Sequence, residues 1–133
     1  MKQTKTVLFQ SQQESIRKLA KELVLFLENK KMQEILLLNI EKVNPYFCFF
    51  ILATANSSLQ LKSIHKELYK NFFNLMDKKN NPLSETDSGW VVYDFIDIIV
   101  HIFLEETRSY YNLEKLWADA PIIYSSKTKQ FQW

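Results

Sequence analysis

The 133-residue chain has little glycine and little cysteine, with one residue of each. Because Gly89 stands alone, the chain has no glycine-rich loop of the kind that cradles phosphates. Cys48 has no second cysteine with which to form an internal disulfide, which is typical of a reducing compartment. No apolar run approaches the roughly 18 residues of a membrane span, and the opening MKQTKTVLFQ is too polar for a secretory signal. We therefore expect a cytoplasmic protein that makes no membrane contact.

Apolar residues make up 47% of the chain and aromatic residues 14%. These fractions are too high for a disordered chain, and this length can bury a core as one domain. We expect a single domain over residues 1–133, with a core at about 11–121 and a C-terminal tail at 122–133.

Hydrophobic periodicity predicts three helices and four strands. Ser11 and Glu14 fit a capping box that would start the first helix. Strands are predicted at 34–40 and 46–54, followed by a helix capped by Ser57, with His65 and Tyr69 on its solvent side. A loop at 77–89 leads to the strands WVVYDF and DIIVHIFL, a third helix EETRSYYNLEKLW and a possible short strand at PIIY. The order α-β-β-α-β-β-α favours an α/β fold bordering on α+β, with a mixed sheet and flanking helices.

The charges divide the chain into two parts. Residues 1–80 carry 13 Lys and Arg against 7 Asp and Glu, whereas residues 81–119 carry 2 against 8. A nucleic-acid-binding surface would cluster its basic residues. The acidic and aromatic second part instead fits a basic protein partner, although solvated charges around a core would give the same pattern.

Asp94, Asp97 and His101 interrupt the apolar run of the last two strands. Two carboxylates could hold Mg²⁺, and His101 could act as a ligand or base. Each also has a simpler interpretation, because Asp residues form turns and a lone His among apolar neighbours is more often a hydrogen-bonded core residue. We expect no cofactor and no catalytic site.

Interface-type residues crowd into the same region. Aromatic residues and Arg dominate the hot spots of protein interfaces, and Arg108 lies here with Trp90, Tyr93, Tyr110, Tyr111 and Trp117. Helical spacing also allows Trp117 to pack on the sheet as a core residue, so both interpretations stay open.

Three ordered blocks resemble one known family: ILATANSSLQLKSIHKEL, WVVYDFIDIIVHIF and RSYYNLEKLWADAP. Together they are similar to the ribosomal silencing factors, also called Iojap-related proteins, over about residues 15–121. The resemblance implies an α/β fold with a nucleotidyltransferase-like core and no demonstrated catalysis. It also implies binding to large-subunit ribosomal protein number fourteen, which blocks joining of the small subunit and lowers translation when nutrients are scarce.

By position, the resemblance places residues of this chain at the family's strand-to-helix junction, on its hairpin and on its last helix. They are Thr54, Asn56 and Ser57 in the first block, Trp90, Asp94, Asp97 and His101 in the second, and Arg108, Tyr111, Leu113, Glu114, Leu116, Trp117 and Asp119 in the third. The chain departs from the family pattern at Ala55 and Ile96, where Gly is usual, and at Asn39 and Cys48, where Asp is usual. A β-branched residue is strained where Gly adopts φ > 0, so Ile96 predicts a different hairpin turn, with its side chain packing outward.

These patterns predict a non-enzymatic inhibitor of ribosomal subunit association. The hairpin and last helix would supply apolar anchors and charged contacts, with no sequence-specific nucleic-acid binding. The predicted contact residues are Trp90, Tyr93, Asp94, Asp97, His101, Glu106, Arg108, Tyr111, Leu116, Trp117 and Asp119. An apolar face of this kind also predicts a homodimer in isolation. The alternative is a Mg²⁺-dependent nucleotidyltransferase that uses Asp94 and Asp97.

Overall fold

A computed structural model describes residues 2–79 and 86–133, with side chains described from residue 10 onward. The elements are α1 (Lys2–Asn29), β1 (Gln33–Asn39), β2 (Phe49–Ala55), α2 (Ser58–Phe72), a short 3₁₀ turn (Phe73–Leu75), β3 (Trp90–Asp94), β4 (Ile98–Leu104), α3 (Glu105–Tyr111), α4 (Leu113–Leu116) and β5 (Ile122–Ser125). The strands form one sheet in the order β3-β4-β2-β1-β5. Only the central pair, β2 and β4, is parallel among these neighbours, so the predicted mixed sheet with flanking helices is confirmed.

Every residue of β2 is buried, because the sheet is covered on both faces at its centre. One face packs against the apolar sides of α1 and α2, where Leu23, Leu27 and Leu61 have no exposed surface. The other face carries a smaller cluster that includes Phe50 and Leu52 of β2 and Ile99 and Phe103 of β4, with Trp117 packed against it. The second cover is therefore much smaller than the first.

The structure corrects the predicted start of the first helix. α1 already begins at Lys2, and Ser11 and Glu14 are exposed residues inside it. The upstream segment contains neither Gly nor Pro, so nothing in its backbone stops the helix from extending past a capping-box sequence. The predicted cap of α2 is confirmed, since the Ser57 hydroxyl accepts a hydrogen bond from the Gln60 N–H at 3.1 Å.

The predicted single helix over residues 105–117 is also wrong. It breaks at Asn112, which adopts the left-handed conformation with φ 45° and ψ 54°. Asn tolerates this conformation better than most residues, and the break lets α4 turn back over the sheet. The short strand at PIIY is confirmed as β5, which pairs with β1. The loop predicted at 77–89 includes residues 80–85, which lie outside the described residues.

His65 and Tyr69 do not lie on the solvent side of α2 as predicted. Both are half-buried, because α2 packs over the side of β3 that carries Tyr93. The His65 Nδ1 atom lies 2.8 Å from the Tyr93 hydroxyl, and the ring centroids of Tyr69 and Tyr93 are 6.2 Å apart. Burial, followed by the nearby Tyr69, raises the pKa of Tyr93 well above its ordinary value. Tyr93 is thus part of the helix-covered core.

Within the described residues, none of the helices is long and apolar enough to cross a lipid bilayer.

The turn between β3 and β4 keeps a glycine-like backbone without a glycine. Ile96 has φ 77°, and its N–H donates to the Asp94 carboxylate at 2.7 Å. The expected change of turn geometry is therefore wrong, whereas the outward orientation of the Ile96 side chain, which is 60% exposed, is confirmed. A β-branched residue in this conformation is strained.

Replacing Ile96 with Gly should stabilise the protein. The substitution removes the strain of the Cβ branch and exposes little buried surface, so we expect the free energy of unfolding to rise by about 1 kcal/mol. Urea unfolding of Ile96→Gly and Ile96→Ala would measure this, with the Ala variant as the control because it retains a Cβ. A Gly variant no more stable than the Ala variant would contradict the strain argument.

Candidate functional site

The half of the sheet formed by β3 and β4 is only partly covered on its second face. Alternation along the strands brings the Trp90 side chain to this face, together with His101 and Phe103 from β4 and Phe50 from β2. Tyr111 from α3 and Trp117, which directly follows α4, complete the group. We call this group the aromatic face, comprising Phe50, Trp90, His101, Phe103, Tyr111 and Trp117.

The rings of the aromatic face form a continuous chain. Trp90 lies centrally, with ring centroids 5.2 Å from Phe103 and 5.0 Å from Tyr111. Phe50 lies between His101 and Trp117, with centroid distances of 4.8 and 5.0 Å. Ring pairs at such separations are stabilising beyond their buried area. The face is therefore a packed surface whose outer members, Trp90 and Tyr111, remain partly accessible.

His101 is a buried, neutral member of this face. Its side chain is only 7% exposed, and burial lowers its pKa to about 4. The indole N–H of Trp90 donates to Nδ1 of His101 at 3.3 Å. Because Nδ1 accepts, the single proton of the neutral ring resides on Nε2.

Two buried nitrogens of the aromatic face have no hydrogen-bond partner within the described chain. They are Nε2 of His101 and Nε1 of Trp117. Both atoms are donors, given the tautomer of His101. A buried donor without an acceptor costs free energy, so these two groups are exceptional in a fold that otherwise satisfies its buried polar side chains over the described residues.

Asp94 and Asp97 lie at the β3–β4 turn. The Asp94 carboxylate accepts the Ile96 N–H, as a turn-forming Asp does. The backbone carbonyl of Asp97 accepts the N–H of Cys48 at 2.8 Å.

Burial, followed by Glu41 and Asp97, raises the pKa of the Cys48 thiol to about 11, which makes it a poor nucleophile. In the described part of the chain, no three His, Cys, Asp or Glu side chains are grouped to hold a metal ion.

Arg108 is a buried anchor rather than a surface residue. It is 6% exposed, and its guanidinium donates to the Glu34 carbonyl at 2.7 Å, the Thr54 hydroxyl at 2.8 Å and the Glu114 carboxylate at 2.6 Å. These bonds connect α3 and α4 to the first residues of β1 and the last residues of β2. Arg108 therefore positions the segment that carries Trp117 and cannot itself contact a partner in this conformation.

The remaining predicted contact residues separate by exposure. Tyr93 lies in the core on the opposite face and is 0% exposed. Glu106, Tyr111, Leu116 and Asp119 are exposed, with Leu116 at 73%. Glu106 lies at the end of β4 away from the Asp94–Asp97 turn, so the predicted acidic residues do not form one cluster.

Sequence reasoning missed Phe50 and Val92 as members of this surface. Phe50 lies between the two unpartnered donors, and Val92 lies beside His101 in the antiparallel register. The residue alternation in β2 and β3 could have placed both on the His101 side of the sheet. The pairing of β2 with β4, which brings Phe50 to His101, follows only from the tertiary structure.

Comparisons with known proteins agree on one family. Residues 13–132 match the model of the family described as ribosomal silencing factor during starvation. The chain is 35% identical over 97 residues to the ribosomal silencing factor of Bacillus subtilis, covering 71% of this chain and 80% of that protein. It is 31% identical to the chloroplastic protein Iojap of Zea mays, covering 68% of this chain and 39% of that protein.

Solved structures show the same fold. A crystal structure of a Bacillus halodurans protein superposes with a TM-score of 0.66 at 30% identity, covering 81% of this chain and 98% of that one. A crystal structure of a Chromobacterium violaceum protein gives 0.60 at 28% identity, with 79% and 85% coverage.

Removing the Arg108 guanidinium should destabilise the fold. Arg108→Met keeps the aliphatic stem but leaves the Thr54 hydroxyl and the Glu34 carbonyl without their donor. We expect the free energy of unfolding to fall by about 2–3 kcal/mol. Glu114→Gln is the control, because Glu114 is 42% exposed and losing its charge should cost less than about 1 kcal/mol. Equal losses in urea unfolding would refute the anchor role.

His101 should give the fold a specific pH dependence. Between pH 6.5 and about 4 the unfolded chain binds a proton at this residue and the folded chain does not. Stability is therefore lost as pH falls through that window, by on the order of 3 kcal/mol. Denaturant unfolding at several pH values should show that His101→Phe flattens this slope, whereas His65→Gln retains it. A slope that survives His101→Phe would assign it to another group.

Proposed function

This chain belongs to the ribosomal silencing factor family, and we propose that it represses translation by binding the large ribosomal subunit. In this proposal its aromatic face and the exposed residues of α4 dock on ribosomal protein number fourteen. The bound protein then blocks joining of the small subunit under nutrient limitation. The observation that carries the proposal is a partly open aromatic face bordered by exposed apolar and acidic residues on a chain of this family.

The aromatic face has the composition of an interface centre. Trp and Tyr concentrate in hot spots because they bury large areas with few rotatable bonds. Trp90 and Tyr111 provide such area, and Leu116 extends it as an exposed apolar side chain. Tyr110, which is 82% exposed and 5.1 Å from Tyr111 between ring centroids, continues the surface along α3.

Acidic residues border this surface. Glu105, Glu106 and Asp119 are exposed, and Asp94 and Asp97 are half-buried at the far turn. Ribosomal proteins are typically basic, so these carboxylates favour encounter with such a partner and should act mainly on the association rate. The acidic border also disfavours direct contact with ribosomal RNA, whose phosphates carry the same sign of charge.

The proposed action is steric and needs no catalysis. Asp94 serves the turn, Cys48 has a raised pKa, and His101 is buried and neutral near pH 7. None of the three has the accessible, activated state that a nucleophile or general base requires. No observation favours the nucleotidyltransferase alternative, so the proposal assigns this chain a binding role in the cytoplasm.

Binding should be measured by co-sedimentation with isolated ribosomal subunits in Mg²⁺ on a sucrose gradient. We expect the protein to travel with the large subunit and to reduce the peak of joined ribosomes. Leu116→Ala should weaken binding, while Leu59→Ala should not. The pair is matched because Leu59 is 80% exposed on α2, over the other face of the sheet.

Trp90→Ala should have a larger effect than Leu116→Ala. Loss of a central anchor costs about 2 kcal/mol or more of binding free energy, which is roughly thirtyfold in affinity. Circular dichroism must first confirm that the variant is folded, since Trp90 also donates to His101. Unchanged affinity in a folded Trp90→Ala protein would remove this residue from the interface. A protein that stays at the top of the gradient while subunits join normally would refute the proposed function.

We also propose that the free protein is a homodimer that uses the aromatic face. An exposed apolar surface without its partner favours self-association through a two-fold symmetric contact. Leu116→Asp should therefore shift the protein towards monomer in sedimentation equilibrium, and Leu59→Asp should leave the distribution unchanged. A monomeric unmodified protein at high micromolar concentration would contradict this proposal.

A further inference from the structure

The two unpartnered donors of the aromatic face call for an acceptor that the described chain does not supply. A buried N–H without an acceptor has lost its hydrogen bond to water and gained none in return, which destabilises the fold. Native folds keep such groups rarely, so each one requires an explanation. Here both belong to rings in contact with the same residue, Phe50, and both lie on the face proposed to bind a partner.

The acceptor nitrogen of the His101 ring is already occupied. Nδ1 of His101 receives the Trp90 indole N–H, which leaves the Nε2–H of the same ring pointing away from that bond. His101 is 7% exposed, and its ring packs against Phe50 and Phe103, so the ring and its N–H are held in place. It behaves as a preorganised donor.

The second donor lies on a short segment at the margin of the sheet. Trp117 follows α4, a helix of only four residues that begins after the left-handed Asn112. Lys115, Leu116, Ala118 and Asp119 around it are exposed. The segment therefore packs on the sheet through three residues, Leu113, Trp117 and Ala120. Segments of this kind open locally at low free-energy cost, and a small shift of the segment brings both N–H groups within reach of an incoming residue.

The surroundings select the chemistry of the acceptor. The walls are aromatic, and an ionised carboxylate or phosphate would lose its hydration there at high cost. The exposed acids of the border, among them Asp119 and Glu106, oppose such anions further. An uncharged amide carbonyl has neither penalty.

We propose that Trp117 and His101 are specificity residues that read uncharged carbonyl oxygens on a loop of the protein partner. The oxygens come from the partner's backbone or from its Asn or Gln side chains, and they enter beside Phe50 as the segment after Asn112 shifts outward. This inference rests on the proposed function, because it specifies how that same face recognises its partner. The two N–H groups, which have no acceptor in the isolated fold, would form their hydrogen bonds in the complex and so stabilise it.

The test exchanges one indole N–H at a time for sulfur. Trp117→benzothienylalanine, introduced by semisynthesis, keeps the shape of the ring and removes only the donor. We expect the free protein to be as stable as the unmodified one or more so, because the lost N–H had no acceptor. Affinity for purified ribosomal protein number fourteen, measured by calorimetry, should fall about three- to tenfold.

The other two tryptophans provide matched controls. The same exchange at Trp90 removes a bonded donor, so it should lower the stability of the free protein. The ring of Trp133 packs on Phe49, with 5.6 Å between ring centroids, and lies away from the aromatic face. The exchange at Trp133 should therefore leave the partner affinity unchanged. If the exchange at Trp117 keeps the stability of the free protein and lowers its affinity for the partner, a purely structural role of this N–H is excluded.

Two results would overturn the inference. A drop in the stability of the free protein on exchange at Trp117 would mean that its N–H is already bonded, for example to a trapped water or to the Phe50 ring. Unchanged affinity would mean that no partner acceptor is read there. If the unmodified protein itself fails to bind ribosomal protein number fourteen, the proposed function fails first and the inference falls with it.

Discussion

The complete burial of β2 is the constraint on which the rest of this fold depends. A central strand whose residues are all buried needs an apolar cover on both faces of the sheet. α1 and α2 provide one cover with long apolar stripes. The second cover must be built from about fifteen residues after β4, and these cannot reach across the whole sheet. The aromatic face remains partly open for this reason.

Arg108 and Asn112 together determine where the smaller cover lies. Asn112 breaks the helix in a conformation that few other residues tolerate, and Arg108 binds both sides of the break to β1 and β2 through Glu34, Thr54 and Glu114. A buried cation is acceptable only because it has several acceptors. The two residues thus place Trp117 over Phe50 and leave Trp90 only half-buried.

Under the proposed function, stability and recognition compete on the aromatic face. Aromatic packing and the Trp90–His101 hydrogen bond stabilise the isolated chain. The unpartnered N–H groups of His101 and Trp117 and the exposed Leu116 lower that stability. Such costs are typical of surfaces that are completed by a partner, and they concentrate at one place while the α1–α2 side of the sheet is closed. The strained backbone of Ile96 in the β3–β4 turn lowers the stability of the fold separately.

Most of the strands and helices, and the buried faces of several of them, could be predicted from local sequence patterns. Period-two and period-3.6 patterns are local, so the strands, the Ser57 cap and the family resemblance of three blocks could be identified without coordinates. Alternation places Trp90 and Tyr93, three residues apart, on opposite faces of β3. Local patterns could not show which of these faces the helices would close and which would stay partly open, or that Arg108 would turn inward. Those outcomes depend on which strands pair and on what covers each face. Partners distant in the chain decide them, as Glu34 and Thr54 do for Arg108.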